Sequence, residues 1–266
     1  MPPQSPGRRS ELHRTGTVGA NQVTSIITGM GPANALRSAQ AALTSNSPLL
    51  DRPATDNAPV SRLTSAIDLG LRTGQRLAIL VIGFAGSLSD SLNEGEIVIY
   101  QSCVTEGAAP QPCSEELNAC LIPRLRAARI SCREVTGIST PAIASTRNQK
   151  SLLAKSGATA VDMESYQIIK TAAGLGIPAA VVRVISDSLD KRMPDLNSAL
   201  QSDGTFAPGA LAVVCLKRPL ATIGLMFSSR RALKSLSQAL GVILSQSLNT
   251  TSQGSALTTG IKLESA

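Results

Sequence analysis

The stretch "TAVDMESYQIIKTAAGLGIPAAVVRVISDSLD", residues 159–190, decides the fold class. It contains two short apolar runs, Ala160–Met163 and Ala179–Ile185, and the segment between them predicts a helix. Both runs are continuously apolar, as strands buried on both faces of a sheet must be. Glu164 follows the first run and Asp187 follows the second. The stretch therefore predicts a parallel sheet with two carboxylates beyond the ends of its strands, where ligands bind in such sheets.

The same alternation of apolar runs and helical segments continues along the chain. Further strands are predicted at Gln22–Thr28, Leu77–Ile82 and Glu96–Tyr100. Helices are predicted at Pro32–Thr44, Ser61–Leu71, Glu115–Ala128, Arg147–Lys155, Ser165–Leu175 and Ser228–Leu248. The predicted fold class is therefore α/β. A chain of 266 residues suits one domain, which we place at residues 11–248 between polar tails, 1–10 and 249–266, expected to be disordered.

Composition excludes several classes of function. Aromatic residues make up 2% of the chain and Trp is absent, so there are few rings on which bases could stack. The net charge of +7 lies in small clusters and forms no basic stripe, which argues against nucleic acid as a partner. Cysteine is present as an odd set of five without a C-x-x-C pair, and His13 is the single histidine. We expect neither a disulfide framework nor a His/Cys metal site.

The apolar segments are too short or too interrupted to cross a bilayer. The run from Leu77 to Ala85 has fewer residues than a span needs, and Lys217-Arg218-Pro219 breaks the stretch from Phe206 to Phe227. The chain also shows no charged start followed by an apolar core of a signal peptide. These features predict a cytoplasmic protein with reduced cysteines and no integral membrane segment.

Two glycine-containing segments follow predicted strands. Gly29-Met30-Gly31 precedes Pro32 at the start of a helix, where free backbone N–H groups suit an anion; a tight strand-to-helix turn is the alternative. "GFAGSL", residues 83–88, allows close approach of a ligand to its backbone. It lacks the G-x-G-x-x-G spacing of a dinucleotide fold, which disfavours an oxidoreductase of that type.

The two acids have a functional and a structural interpretation. A carboxylate such as Glu164 accepts hydrogen bonds from vicinal hydroxyls, as on a ribose, and a protonated carboxyl group such as Asp187 donates to a ring nitrogen. The structural alternative is helix capping, by Asp162 or Ser165 in the first case and by Ser186 or Asp187 in the second. The residues alone leave both interpretations open.

Four segments together resemble one family. "AVDMES" and "VVRVISDSLD" are similar to the paired signature of the nucleoside phosphorylase and methylthioadenosine/adenosylhomocysteine nucleosidase superfamily. "ITGMGPANA" resembles its Gly-rich segment, and "GFAGSLSDSLNEGEIVI" resembles its G-x-A-G-x-L loop. The resemblance implies a three-layer α/β/α sandwich around a central, mostly parallel mixed sheet. "KSLLAKSGATAVDMES" and "KRPLATIGLM" look most like the hopanoid-associated phosphorylase branch, which is linked to release of adenine from an adenosyl-lipid precursor.

The resemblance also implies roles for individual residues. Asp187 would match the acid that protonates purine N7, with Ser186 supporting it. Glu164 would match the residue that holds the ribose hydroxyls, and Met163 would pack on the sugar. The remaining pocket residues implied are Gly86 and Phe84, with Gly29 and Gly31 on the side of the phosphate or water.

The implied function is cleavage of the N-glycosidic bond of a purine (adenine) nucleoside or adenosyl compound. Phosphorolysis, with inorganic phosphate as second substrate, and hydrolysis both remain open. The resemblance implies a homo-oligomer and no cofactor. About ten polar residues precede the match, so we expect the family's leading strand to be missing. That strand carries residues for phosphate or water, so the alternative is a nucleoside-binding or scaffold protein with impaired catalysis.

Overall fold

The computed structural model describes residues 13–19, 21–28, 30–43, 77–191, 193–202 and 204–245. Within these ranges the strands are β1 (His13–Val18), β2 (Asn21–Ile26), β3 (Ile79–Ser87), β4 (Ile97–Val104), β5 (Gln111–Pro112), β6 (Cys132–Ser139), β7 (Ala160–Asp162) and β8 (Ala179–Asp187). The α-helices are α1 (Pro32–Leu43), α2 (Glu115–Ala127), α3 (Arg147–Ala154), α4 (Ser165–Gly174), α5 (Pro208–Lys217) and α6 (Pro219–Ser245), and Leu196–Ala199 form a 3₁₀ turn.

The main sheet is mixed and closes on itself. Its strand order is β5-β4-β6-β7-β3-β8, and β8 also pairs with β4, so β4, β6, β7, β3 and β8 form a barrel-like ring. The pairs β3–β8, β4–β6 and β6–β7 are parallel. The pairs β3–β7, β4–β8 and β4–β5 are antiparallel.

Helices cover the main sheet on both sides. Strand β4 is continuously apolar because its residues pack against helices on both of its faces. Val98 and Tyr100 belong to a buried cluster that also contains residues of α1 and α4. Ile97 and Ile99 belong to a second cluster with residues of α2 and α6. Because successive side chains of a strand point to opposite faces, both faces need apolar residues. The predicted three-layer α/β/α fold is confirmed.

The structure differs from the predicted elements in several places. The strand predicted at Gln22–Thr28 is β2, which pairs with β1 in a separate two-stranded antiparallel sheet, so its expected place in the buried sheet is wrong. Ser25 and Ile27 are exposed there, as a strand outside the core permits. Strands β1, β5 and β6 and helix α5 were not predicted, and α6 begins at Pro219, earlier than expected. The predicted helix Ser61–Leu71 lies outside the described residues, as do the two tails.

Candidate active site

Asp187 is the last residue of β8, and Glu164 lies between β7 and helix α4; the strands β7 and β8 flank β3 on opposite sides. Gly86 of β3 pairs with Val161 of β7 and with Asp187 of β8. Because β3 is antiparallel to β7 but parallel to β8, these two strands run in opposite directions. The expectation that Glu164 and Asp187 follow parallel strands at one shared edge is therefore wrong. Instead, β3 lies between β7 and β8, and its residue Gly86 pairs with both of them.

Asp187 lies in a buried site, and both of its carboxylate oxygens have a partner. Ser186 Oγ donates to Oδ1 at 2.7 Å. The ammonium group of Lys150 donates to Oδ2, and also to the carbonyl oxygen of Ser188 at 2.6 Å. The Lys150 side chain is 0% exposed and that of Asp187 is 4% exposed. Two opposite charges are thus held in contact away from water, where an unpaired charge would be strongly unfavourable.

Gly86 is small because the Asp187 carboxylate occupies the space of a side chain. A Cβ atom at Gly86 would lie 2.9 Å from Asp187 Oδ2 and 3.2 Å from a methyl carbon of Val161. Any side chain there would push the carboxylate away from its position between Lys150 and Ser186. The predicted pocket residue Gly86 therefore lies against the predicted acid.

Glu164 is held by two different donors. The backbone N–H of Gly31 donates to Oε1 at 3.0 Å, and Arg183 Nη2 donates to Oε2 at 3.3 Å. Gly31 directly precedes α1, so the carboxylate lies at the positive end of that helix. Burial raises the pKa of the Glu164 carboxyl, while the Arg183 guanidinium and the Gly31 N–H act in the opposite direction.

Arg183 joins the residues around Glu164 into one buried network. Its Nη2 donates to Ser165 Oγ at 2.8 Å, and its Nε lies 3.4 Å from Asp162 Oδ2. The guanidinium fits because β3 has a glycine beside it: a Cβ atom at Gly83 would lie 2.3 Å from Arg183 Nη1. A planar guanidinium can bind several acceptors at fixed angles, which a lysine ammonium would not reproduce.

The capping question is answered for helix α4. Asp162 Oδ1 accepts from the backbone N–H groups of Glu164 at 2.9 Å and Ser165 at 3.0 Å, while the Glu164 side chain makes no cap hydrogen bond. Burial opposes ionisation of Asp162 most strongly, but Arg183 and the hydroxyls of Ser165 and Ser139 together lower its pKa below the usual value. Asp162 therefore caps the helix, which leaves Glu164 available to bind a ligand.

The remaining predicted residues occupy varied places. Met163 is buried, and its Cε is the atom nearest to a Cβ built at Gly31, at 3.9 Å. Phe84 lies on β3 with its side chain 43% exposed. Gly31 has a positive φ of 94°, and its N–H is already bonded to Glu164. Gly29 lies outside the described residues.

Sequence reasoning missed the two basic partners. Arg183 interrupts the apolar run "AAVVRVIS", and a charge inside a strand buried on both faces indicates a buried, paired group. That signal was available in the sequence. Lys150 gives no such signal, since it lies in the polar helix "RNQKSLLA", where it is the one buried residue. Only the packing of α3 reveals its contact with Asp187.

Comparisons with known proteins agree with this fold. A search of curated proteins found no significant match. Among solved structures, the methylthioadenosine/adenosylhomocysteine nucleosidase of Neisseria meningitidis, in complex with methylthio-immucillin-A, matches with a TM-score of 0.59 and 13% identity, over 88% of this chain and 85% of that chain. The corresponding nucleosidase of Streptococcus pneumoniae, in complex with 8-aminoadenine, matches with a TM-score of 0.56 and 14% identity, over 88% and 85%.

Futalosine hydrolase of Helicobacter pylori is also similar, with a TM-score of 0.52 and 17% identity over 85% of this chain and 83% of that chain. At these identities the structural likeness establishes the fold. The family model described as the phosphorylase superfamily matches residues 2–214, which is most of the chain. With this match and the shared fold, the chain belongs to the phosphorylase superfamily.

Proposed function

We propose that the protein cleaves the N-glycosidic bond of a purine nucleoside or adenosyl compound and releases adenine. The observation that carries the proposal is the buried Asp187, whose two oxygens are held by Ser186 and Lys150. A carboxyl group in such a site is fixed in one orientation and is close to a source of protons. These are the requirements for protonating a leaving group.

The proposed reaction breaks the bond between C1′ of the sugar and N9 of the base. The electron pair of that bond goes to the purine, and Asp187 passes to N7 a proton that the Lys150 ammonium supplies, so that the base leaves as a neutral molecule. An oxygen of water or of inorganic phosphate then bonds to C1′ and gives up one proton, which restores the proton of the Asp187–Lys150 pair. Water gives the free sugar and phosphate gives the sugar 1-phosphate.

Glu164 is the proposed acceptor for the ribose hydroxyls. Its Oε2 faces the permanently charged Arg183, which favours the ionised carboxylate that accepts hydrogen bonds. Its side chain is 15% exposed, so hydroxyls of a ligand can reach it. We assign sugar packing to Met163 and a base contact to Phe84 as parts of the same proposal.

Product analysis tests the proposal and separates its two forms. The chain would be incubated with adenosine, methylthioadenosine and adenosylhomocysteine, with and without inorganic phosphate, and adenine release would be followed by chromatography. Release that requires phosphate, with sugar 1-phosphate as the second product, establishes phosphorolysis. Release without phosphate establishes hydrolysis. No release from any of the three would contradict the proposed activity.

A second candidate is a protein that binds nucleosides but turns them over poorly. It is favoured by one observation: the Gly31 N–H, proposed for the phosphate or water side, already donates to Glu164. Calorimetry with the same nucleosides distinguishes the candidates, because this one requires binding with little or no adenine release.

The wider assignments are also proposals. The hopanoid-associated branch, with an adenosyl-lipid precursor as substrate, rests on the sequence resemblance described above. A homo-oligomer rests on the same resemblance. The cysteines Cys103, Cys113, Cys120, Cys132 and Cys215 are free thiols, which supports a reducing compartment such as the cytoplasm.

A further inference from the structure

Helices α5 and α6 carry an apolar surface that the other residues described by the structure leave uncovered. No residue of α5, "PGALAVVCLK", is buried, although the helix is mostly apolar. Leu216 is 79% exposed, Leu220 is 84% exposed and Phe227 is 66% exposed. Contiguous exposed apolar surface is uncommon on a free protein and indicates an interaction site.

The two faces of α6 differ in a regular way. One face packs on the main sheet through a stripe of small and aliphatic residues, Ser228, Ala232, Leu236, Ala239 and Ile243. The opposite face carries a stripe with the same helical spacing, in which Leu220, Ile223 and Phe227 are followed by Arg230 and Lys234. Apolar residues near the start of the helix thus continue into basic ones on a single exposed face.

The charge of this surface points to the partner. Residues 204–245 contain five basic residues and no Asp or Glu. All five, Lys217, Arg218, Arg230, Arg231 and Lys234, are exposed. A second copy related by a two-fold axis would place this basic surface against itself, which like-charge repulsion disfavours. An anionic lipid surface satisfies both the apolar and the basic residues.

The geometry favours a helix pair that lies on a bilayer. In the described part of the chain no single helix is long and apolar enough to cross a membrane. Helices α5 and α6 are long and apolar enough only when taken together, and the chain bends by 111° between them. Helix α5 alone extends about 15 Å, roughly half of a hydrocarbon core of about 30 Å.

We propose that the elbow between α5 and α6 docks this protein on anionic membranes. Leu216, Leu220 and Phe227 enter the boundary between headgroups and acyl chains, and the basic residues beside them bind lipid phosphates. The long basic side chains can reach the headgroups while their stems stay in apolar contact. This inference does not depend on the proposed reaction.

A single tryptophan tests the proposal, because the natural chain has none. In F227W, the emission should shift to shorter wavelength on addition of vesicles of phosphatidylcholine and phosphatidylglycerol in equal parts. Vesicles of phosphatidylcholine alone should give a much smaller shift, and high salt should reverse the shift, because screening weakens contacts between exposed charges. The matched control is L152W, since Leu152 is 62% exposed on helix α3 and belongs to neither α5 nor α6. Its emission should not change.

Sedimentation with the same vesicles identifies the residues responsible. The double substitution L220S/F227S should lower the bound fraction at least about tenfold through lost apolar burial. R230E/K234E should remove the preference for phosphatidylglycerol, and L152S should bind like the natural chain. Equal shifts in F227W and L152W, or unchanged sedimentation of both double variants, would overturn the proposal. So would a dimer in ultracentrifugation without lipid that L220S/F227S dissociates, because a second copy would then cover the surface.

Discussion

The two acids of the candidate site share a pattern and differ in one group. Asp187 and Glu164 each form an ion pair with one buried basic side chain. That side chain is Lys150 for Asp187 and Arg183 for Glu164. A lysine ammonium can release a proton, whereas an arginine guanidinium keeps its charge throughout the accessible pH range. The two carboxyl groups therefore differ in chemistry because one has a lysine partner and the other an arginine partner.

This difference explains how the proposed reaction divides between them. The Asp187–Lys150 pair holds a mobile proton in a buried site, so Lys150 can supply the proton that Asp187 passes to the purine. The Glu164–Arg183 pair holds no mobile proton, so Glu164 remains a hydrogen-bond acceptor. Arg183 is also shared with Asp162, which ties the acceptor to the cap of helix α4.

The largest expected effect is that of Asp187→Asn. An amide of the same shape cannot protonate N7, so adenine release should slow by roughly 10²–10⁴-fold, the usual contribution of a general acid. Release from adenosine, measured beside Ser186→Ala as a milder change at the same carboxylate, tests this. A rate equal to that of the natural chain would reduce Asp187 to a structural residue.

Substitution of Lys150 tests whether a mobile proton matters. Lys150→Met removes the opposite charge beside Asp187 together with the proposed proton source, so adenine release should slow by roughly 10²-fold or more, the usual contribution of an acid–base group. Lys150→Arg retains the charge without a mobile proton, so it should also lower kcat although the ion pair is kept. Circular dichroism checks that both variants fold. Equal kcat values for all three proteins would refute this role of Lys150.

Glu164→Gln should have a smaller and more selective effect. A hydrogen bond to a charged group is worth about 1.5–3 kcal/mol, so ribosides should lose roughly 10- to 100-fold in kcat/KM. 2′-Deoxyribosides, which lack one of the proposed donors, should lose less. Adenosine and 2′-deoxyadenosine assayed in parallel make the comparison, and equal losses on both would mean that Glu164 supports the fold instead.

The smallest expected effect concerns the cap that shares Arg183. Because the pKa of Asp162 is lowered in the folded protein, its ionised form contributes stability above the ordinary carboxyl range, near pH 4, and that contribution is lost as pH falls through the folded value. Asp162→Asn should therefore lower stability at neutral pH but make it less sensitive to acid. Urea unfolding at neutral pH and at about pH 3 measures both. A steeper acid dependence in the variant would contradict the assignment.

Most helices and the main strands could be predicted from the sequence. Helices α1, α2, α3 and α4 lie within a residue or so of their predicted ends, because caps and apolar spacing are local features. The continuous apolar runs also predicted burial on both faces correctly. The motifs pointed to the superfamily, and they selected Glu164, Asp187 and Gly86, whose roles in catalysis stay predictions.

The sequence by itself determined which segments are helical or buried and which two acids follow the paired strands, since these depend on neighbouring residues. Only the tertiary structure decided that the sheet closes, that β7 is antiparallel to β3, and that Lys150 contacts Asp187, which is 37 residues away in the sequence. Strand direction and long-range ion pairs depend on how helices and strands pack together. The spacing of apolar residues along the sequence does not predict them. The same holds for α5, a mostly apolar helix of which no residue is fully buried in the folded chain.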